Sequence, residues 1–155
     1  MTTPKSDPLK NRADIKIEID IPITEQPDCD AIRATLFELV SDHSAEGTVS
    51  VILADDGKLR RLNQDFRGID EVTDVLSFDL KDDLSGGEIG EVYISLDRAG
   101  VQAQFTSRDL MDEVAHLAIH GFLHLLGYDH NTDVEHLRMR RQEARYLARF
   151  KQKGA

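Results

Sequence analysis

The chain has 155 residues, the length of one domain, and its 40% apolar and 31% charged residues exclude a wholly disordered protein. Its single cysteine, Cys29, excludes an internal disulfide framework and any multi-cysteine zinc or iron–sulfur site. The net charge of −10 excludes a broad basic surface for nucleic acid, and no apolar run is long enough to span a membrane.

Residues 1–12 are polar, contain two prolines and lack an apolar signal core. We therefore expect a flexible N-terminal segment, a single domain over residues 13–155, and a cytoplasmic protein without membrane contact. From Asp14 to Ile21, isoleucines alternate with polar residues, and this period of two predicts a strand with one buried face.

A helix is predicted after the loop that Pro22 and Pro27 bracket, with Asp28 or Asp30 as its cap. Its apolar side carries Ile32, Leu36, Leu39 and Val40. The run TVSVILA after Gly47 predicts a second strand, and apolar residues at helical spacing predict a helix over residues 56–66.

The remaining chain contains two further predicted strands and then only helices. The strands are TDVLSFDL and EVYISL, residues 73–80 and 91–96, separated by an acidic, glycine-containing loop. The helical patterns cover residues 97–104, 107–126 and 132–150. We therefore predict an α+β fold in which a single mixed β-sheet is packed by helices, although these patterns do not determine the strand order.

The most informative segment is HGFLHLLGYDH, residues 120–130, which contains three histidines in the pattern His-x-x-x-His-x-x-Gly-x-x-His. His120 and His124 are four residues apart, so on a helix they share a face and can bind one ion. His130 would lie on the wrong side of a continuous helix. Gly127 is suited to ending that helix, because glycine readily adopts the left-handed conformation, and the chain can then return to offer His130 as a third ligand.

Three protein ligands leave a fourth position open, which is typical of a catalytic zinc rather than a structural one. Manganese or nickel could also occupy three histidines. His116 extends the same stripe by one turn, but a fourth ligand would close the site, so we favour a supporting or core role for it. His43 and His136 have no pattern around them and are predicted to be surface residues.

The histidine spacing is that of the metzincin metalloproteases, with one difference. In those enzymes a glutamate general base follows the first histidine, whereas this chain has Gly121, which cannot accept a proton. Asp129 either orients a ligand or water, or stabilises the turn after Gly127. The guanidinium of Arg67 is suited to a phosphate, but a solvated surface arginine is the alternative.

The chain resembles the YbeY family of rRNA maturation endoribonucleases over about residues 45–150. The resemblance rests on HGFLHLLGYDH, on LNQDFRGIDEVTDVLSF upstream, and on GEIGEVYISLD between them. It implies a zincin-like fold with a metal-binding helix and one Zn²⁺ held by His120, His124 and His130. It also implies a functional arginine at Arg67, so that Arg67, His120 and His124 are the expected catalytic residues. One departure is Glu91, where the family commonly has an aspartate.

The activity that this resemblance implies is cleavage of single-stranded RNA in rRNA maturation, including the 3′ end of small-subunit rRNA, and in ribosome quality control. The implied partners are rRNA and the ribosome or a small-subunit ribosomal protein, and no DNA is expected. Two alternatives are a metal-dependent hydrolase of another substrate, such as peptide, and a non-catalytic ribosome-assembly factor whose metal is structural.

The uneven charge bears on how such a protein would bind RNA. Residues 131–155 carry a net charge of +4, and the rest of the chain carries −14. Arg138, Arg141 and Arg145 lie on one side of the last predicted helix, either as an RNA contact or as a solvated face. With so little positive surface, we predict weak affinity for naked RNA and targeting by a ribosomal partner.

Overall fold

The structure is a computed structural model that describes residues 13–20, 28–81 and 87–153. The predicted flexible segment over residues 1–12 lies outside the described residues, as do the loop bracketed by Pro22 and Pro27 and the middle of the acidic loop. The strands are β1 (Ala13–Ile19), β2 (Gly47–Ala54), β3 (Val75–Asp79) and β4 (Glu88–Ser95). The helices are α1 (Asp30–Asp42), α2 (Asp56–Arg67), α3 (Leu96–Thr106), α4 (Leu110–Leu125) and α5 (Asp133–Lys153).

The described strands form one mixed sheet in the order β1-β2-β4-β3. The pairs β1–β2 and β2–β4 are parallel, whereas β3 and β4 are antiparallel. The predicted α+β fold with a single mixed sheet is therefore confirmed. The chain order alone does not reveal that β4 lies between β2 and β3.

Helices cover both faces of the sheet, and most of the core lies on the face that contacts α1, α4 and α5. Alternating strand side chains supply the sheet side of this core: Ile15, Val49, Val51, Leu53, Val92 and Ile94. The helix side includes Leu36, Leu39, Phe122, Leu123 and Tyr146. A smaller cluster around Leu59 and Leu76 packs α2 on the opposite face.

Two glycines allow α4 to lie directly against the sheet. A β-carbon on Gly121 would lie 2.6 Å from Cγ1 of Val92 on β4 and 2.9 Å from Oγ of Ser77 on β3. A β-carbon on Gly90 would lie 2.5 Å from the carbonyl oxygen of Phe78 and 2.7 Å from Cδ2 of Leu125. These distances are shorter than van der Waals contact, so larger residues at either position would push the helix away from the strands.

Two local predictions differ from the structure in detail. β4 begins at Glu88 rather than Glu91, because residues 88–90 pair with β2 and β3. The N-cap residue of α1 is the buried Cys29 rather than the predicted Asp28 or Asp30, and Asp28 accepts a hydrogen bond from the backbone N–H of Asp30 at 3.0 Å. No helix in the described part of the chain is both long and apolar enough to cross a membrane.

Candidate metal centre

α4 is buried on most of its circumference, and its histidines lie on the side that is not. His116, His120 and His124 follow one another at four-residue intervals and are all partly exposed, whereas the residues between them are buried. The helical spacing therefore aligns the imidazoles along the one side of α4 that the core leaves open.

α4 ends at Leu125, and Gly127 turns the chain just after it, as predicted. Gly127 has a φ of +98°, and its N–H donates to the carbonyl oxygen of His124 at 3.1 Å. The N–H of Tyr128 donates to the carbonyl oxygen of Leu123 at 2.9 Å. This pair of bonds is the Schellman arrangement, which satisfies the last helical carbonyls and reverses the chain so that His130 can return towards the helix.

The turn that follows is held by Asp129. Its Oδ1 accepts the N–H of His130 at 2.8 Å, and its Oδ2 accepts the side-chain amide of Asn131 at 2.7 Å. Asp129 therefore stabilises the turn, which was one of its two predicted roles. Thr132 then accepts the N–H of Glu135 at 3.1 Å and caps the start of α5.

The three histidines of the motif converge. One ring nitrogen from each of His120, His124 and His130 lies within 4.8 Å of the other two. Among the described residues, this is the group of histidine, cysteine and carboxylate side chains that is placed to share one metal ion. The Nε2 atoms of His120 and His124 are 3.2 Å apart. Two nitrogens bound tetrahedrally at the usual zinc distances would be about 3.3–3.4 Å apart, so the arrangement fits one metal ion.

Glu143 on α5 fixes the orientation of the first ligand. Its Oε1 lies 2.6 Å from Nδ1 of His120, and its Oε2 lies 3.2 Å from Nε2 of His116. Burial raises the pKa of Glu143, but the hydrogen bonds to the two histidines outweigh it and lower this pKa to about 2. The carboxylate therefore keeps the proton of His120 on Nδ1, so the lone pair of Nε2 is available to a metal ion.

Glu143 was not among the residues predicted from the sequence, although a signal for it exists. The buried residues of α5 are Met139, Tyr146 and Phe150, and Glu143 lies on the same stripe, four residues after Met139. A carboxylate on the apolar side of a helix requires a partner. The sequence does not identify this partner, which lies on another helix.

The pKa values of His116 and His124 shift in opposite directions. Burial, reinforced by the nearby His120 and His130 rings, lowers the pKa of His124 and so favours the neutral ring that a metal requires. The hydrogen bond to Glu143 raises the pKa of His116, against the effect of burial. His116 contacts Glu143 rather than joining the three-histidine cluster, which agrees with the supporting role predicted for it.

A cleft of about 630 Å³ gives access to the centre. His120 and His130 line it together with residues of α3, such as Gln102, and of α5, such as Arg140. Arg67 is exposed at the last residue of α2 and does not line this cleft. The structure thus groups the predicted metal ligands with one another but not with the predicted catalytic arginine.

The two histidines predicted to be surface residues, His43 and His136, differ in their surroundings. His136 is exposed, as predicted. The prediction for His43 is wrong, because its ring is partly buried and hydrogen-bonded to the Leu39 carbonyl at 2.7 Å and to the Tyr128 hydroxyl at 2.9 Å. The contact with Tyr128 spans 85 residues of sequence, so no local pattern around His43 predicts it.

Known proteins resemble this chain in both sequence and structure. Residues 14–151 match the model of the family described as Endoribonuclease YbeY. Endoribonuclease YbeY of Pelotomaculum thermopropionicum is 44% identical over 114 residues, covering 70% of this chain and 75% of the relative. The protein of that name from Desulfitobacterium hafniense is 40% identical over 120 residues, covering 72% and 76%.

A solved structure supports the same assignment. The solution structure of TM1509 from Thermotoga maritima aligns with a TM-score of 0.64 and 29% identity over 90% of each chain. The family match includes all three clustered histidines, Glu143 and Arg67. The chain therefore belongs to the YbeY family.

Proposed function

We propose that this protein is a zinc-dependent endoribonuclease that cleaves single-stranded RNA during rRNA maturation, including at the 3′ end of small-subunit rRNA, and in ribosome quality control. The observation that carries the proposal is the convergence of His120, His124 and His130 beside an open cleft. The nuclease activity and the RNA substrate are inferred from the family, whose description is Endoribonuclease YbeY.

The ligand set favours zinc with an accessible position. Three neutral imidazoles suit Zn²⁺, and three protein ligands leave room for a substrate or water. His130, whose side chain is 49% exposed, lies on the solvent side of the cluster. When bound, zinc would supply Lewis acidity to polarise a phosphoryl oxygen and activate a water molecule.

The residues of the chain then have separate tasks. His120, His124 and His130 would hold the ion, and Glu143 orients His120 through Nδ1. The cleft between α3 and α5 would hold the RNA strand beside the ion. The catalytic role proposed for His120 and His124 is to hold, together with His130, the ion that would supply the Lewis acid.

Arg67 is proposed as a second contact to the RNA backbone. It is exposed, and no carboxylate of the described residues lies within 4.0 Å of its guanidinium. A planar guanidinium can donate two parallel hydrogen bonds to one phosphate. Because Arg67 lies outside the metal cleft, it would contact a part of the strand that extends beyond that cleft.

The surroundings of Gly121 disfavour the metzincin mechanism of peptide hydrolysis. The position of the metzincin general base is occupied by Gly121, which faces Val92 and Ser77 on the sheet rather than the cleft. Its carbonyl oxygen accepts a hydrogen bond from Ser77 Oγ at 3.1 Å. A glutamate could not occupy this position without displacing α4, so the usual proteolytic base is sterically excluded.

The test begins with metal analysis of the purified protein. Its activity should then be measured on single-stranded RNA, double-stranded RNA and an unstructured peptide, before and after chelation and with zinc restored. We expect zinc near one equivalent, cleavage of single-stranded RNA alone, and loss and recovery of activity with the metal. Peptide cleavage, or RNA cleavage that survives chelation, would contradict the proposal.

Two histidine-to-alanine variants, one inside and one outside the three-histidine cluster, test the metal site. His124→Ala should lose both zinc and RNA cleavage, because it removes one ligand from the cluster. His136→Ala removes an imidazole from the wall of the same cleft without touching the cluster, and should retain its zinc. Ribosome association and ribosome maturation should be measured in parallel for the His124→Ala variant. If the protein were a non-catalytic assembly factor, this variant would still bind the ribosome and support its maturation.

A further inference from the structure

Each charged side chain that lines the metal cleft has a polar or charged partner among the described residues, with one exception. Asp74 accepts a hydrogen bond from the side-chain amide of Gln102 at 3.1 Å. Arg108 lies 3.4 Å from the carboxylate of Glu113, which is only 4% exposed. Glu143 is engaged by His116 and His120. Among the described residues, no carboxylate lies within 4.0 Å of the remaining charged group, the guanidinium of Arg140.

The helical spacing of α5 places this guanidinium near the metal ligands. Arg140 precedes Glu143 by three residues, about one turn, so the two side chains lie on the same side of the helix. Glu143 contacts His120 at 2.6 Å. Arg140 is itself exposed and lines the cleft together with His120 and His130.

We infer that Arg140 is a substrate-binding residue that contacts a phosphate of the RNA strand next to the one at the metal. This inference rests on the proposed function and identifies the local positive charge that an anionic substrate needs on a protein of net charge −10. A guanidinium with no carboxylate partner is available for charge-assisted, bidentate hydrogen bonds to phosphate oxygens.

The other arginines of α5 are less suited to this task. Arg138 lines a different cleft beside Tyr128 and Asp129, and Arg149 is held by Asp42 at 2.8 Å and Glu38 at 3.7 Å. Arg145 lies over the ring of Tyr146, 5.8 Å from its centroid. The predicted basic face of Arg138, Arg141 and Arg145 therefore contributes no residue to the wall of the metal cleft.

The test compares two neighbouring arginines. Arg140→Gln and Arg141→Gln remove the same charge from adjacent exposed positions of one helix, but only Arg140 lines the cleft. KM and kcat for cleavage of a single-stranded oligonucleotide by the zinc-loaded proteins should be measured at several KCl concentrations. We expect Arg140→Gln to raise KM by about tenfold and to reduce the salt slope of kcat/KM by about 0.7. Arg141→Gln should stay within about twofold of the parent.

Substrates with a single neutral methylphosphonate at successive linkages locate the contact. At one linkage, the substitution should weaken binding to the parent protein but cause little further loss with Arg140→Gln, because the two changes remove the same ion pair. Arg140→Lys should recover part of the affinity, since it keeps the charge but not the planar fork. Zinc content and thermal unfolding should match the parent in all three arginine variants.

The outcomes separate this inference from the function on which it rests. If the zinc-loaded parent cleaves RNA but the two glutamine variants have the same KM and salt slope, Arg140 has no specific contact and the inference is overturned. The same follows if no methylphosphonate position is coupled to Arg140. If the zinc-loaded parent neither binds nor cleaves single-stranded RNA, the proposed function fails together with the inference.

Discussion

The Nε2 atom of His43 lies 2.9 Å from the hydroxyl oxygen of Tyr128, and this contact joins the end of α1 to the loop that carries His130. The Nδ1 atom of His43 lies 2.7 Å from the Leu39 carbonyl oxygen, which can only accept a hydrogen bond. Nδ1 therefore donates to this carbonyl, and the Tyr128 hydroxyl is the partner of Nε2. The two rings also meet edge to face, with centroids 5.5 Å apart.

We predict that Tyr128→Phe weakens zinc binding without unfolding the protein. The variant keeps the ring but loses the hydrogen bond that restrains the His130 loop, so the loop becomes more mobile and binding costs more conformational entropy. One such bond contributes about 0.5–1.5 kcal/mol, equivalent to about two- to tenfold in affinity. Competition with a chromophoric chelator measures the change.

Tyr146→Phe is the matched control for this loop contact. The Tyr146 ring also lies near His43, at a centroid distance of 6.2 Å, but its hydroxyl donates to Asp42 at 2.8 Å and makes no described contact with the loop. It should lower stability while leaving zinc affinity unchanged. Equal zinc affinities for Tyr128→Phe and the parent would show that the His43 contact does not restrain the ligand.

Glu143→Gln is predicted to weaken zinc binding by about 10- to 100-fold, the usual effect of losing a group that orients a metal ligand. A carboxylate can accept hydrogen bonds from His120 and His116 with its two oxygens. The glutamine amide has only one oxygen, and its nitrogen is a donor. The zinc dissociation constant should be measured by chelator competition. Glu38→Gln removes a carboxylate whose ion pairs within the described part of the chain are with Arg149 and Lys153, and this variant should bind zinc like the parent.

Gly121→Ala is predicted to destabilise the protein although alanine favours helices. The new methyl group would lie 2.6 Å from Cγ1 of Val92, which is fully buried and β-branched and so cannot easily move aside. An overpacking cost of about 1–3 kcal/mol exceeds the gain in helix propensity. Urea unfolding of the metal-free protein measures the net loss.

Gly100→Ala is the control for helix propensity alone. Gly100 lies within α3, and apart from its chain neighbours and the backbone of its own helix, no described atom lies within 4 Å of a β-carbon built there. This variant should be more stable than the parent by about 0.5–1 kcal/mol. If both alanine variants shift stability in the same direction, the close approach of α4 to the sheet is not the cause.

Asp42 is predicted to make stability depend on pH. Hydrogen bonds from Tyr146 and then Arg149 lower the pKa of Asp42 in the folded protein, against a small effect of burial. The stabilisation is therefore fully present above the unfolded pKa of about 3.9 and is lost as the pH falls through the lower folded pKa. Asp42→Asn should be less stable than the parent at neutral pH, and the difference should disappear at strongly acidic pH.

Urea unfolding at a series of pH values tests this prediction. Asp65→Asn serves as the control, because Asp65 is exposed on α2 and makes none of the described ion pairs or side-chain hydrogen bonds. A difference between Asp42→Asn and the parent that stays constant down to strongly acidic pH would mean that the carboxylate charge is not its source.

The features that the sequence alone predicts correctly are those that local spacing encodes. Four-residue spacing places His120 and His124 on one side of a helix. The glycine at residue 127 favours a helix end at this point, whichever element the helix packs against. Alternating isoleucines likewise define a strand face in β1 without reference to the neighbouring strand. These properties depend on backbone geometry over a few residues, so the arrangement of the motif histidines on a helix and the turn after it, and the α+β class, follow from the chain itself.

Contacts between distant segments were decided only by the tertiary structure. The pairing of Glu143 with His120, the contact of His43 with Tyr128, and the access of Arg140 rather than Arg141 to the cleft all depend on how α1, α4 and α5 pack. The position of β4 between β2 and β3 is of the same kind. Local patterns define which side of an element is buried, but the element that covers it depends on the packing of the whole core.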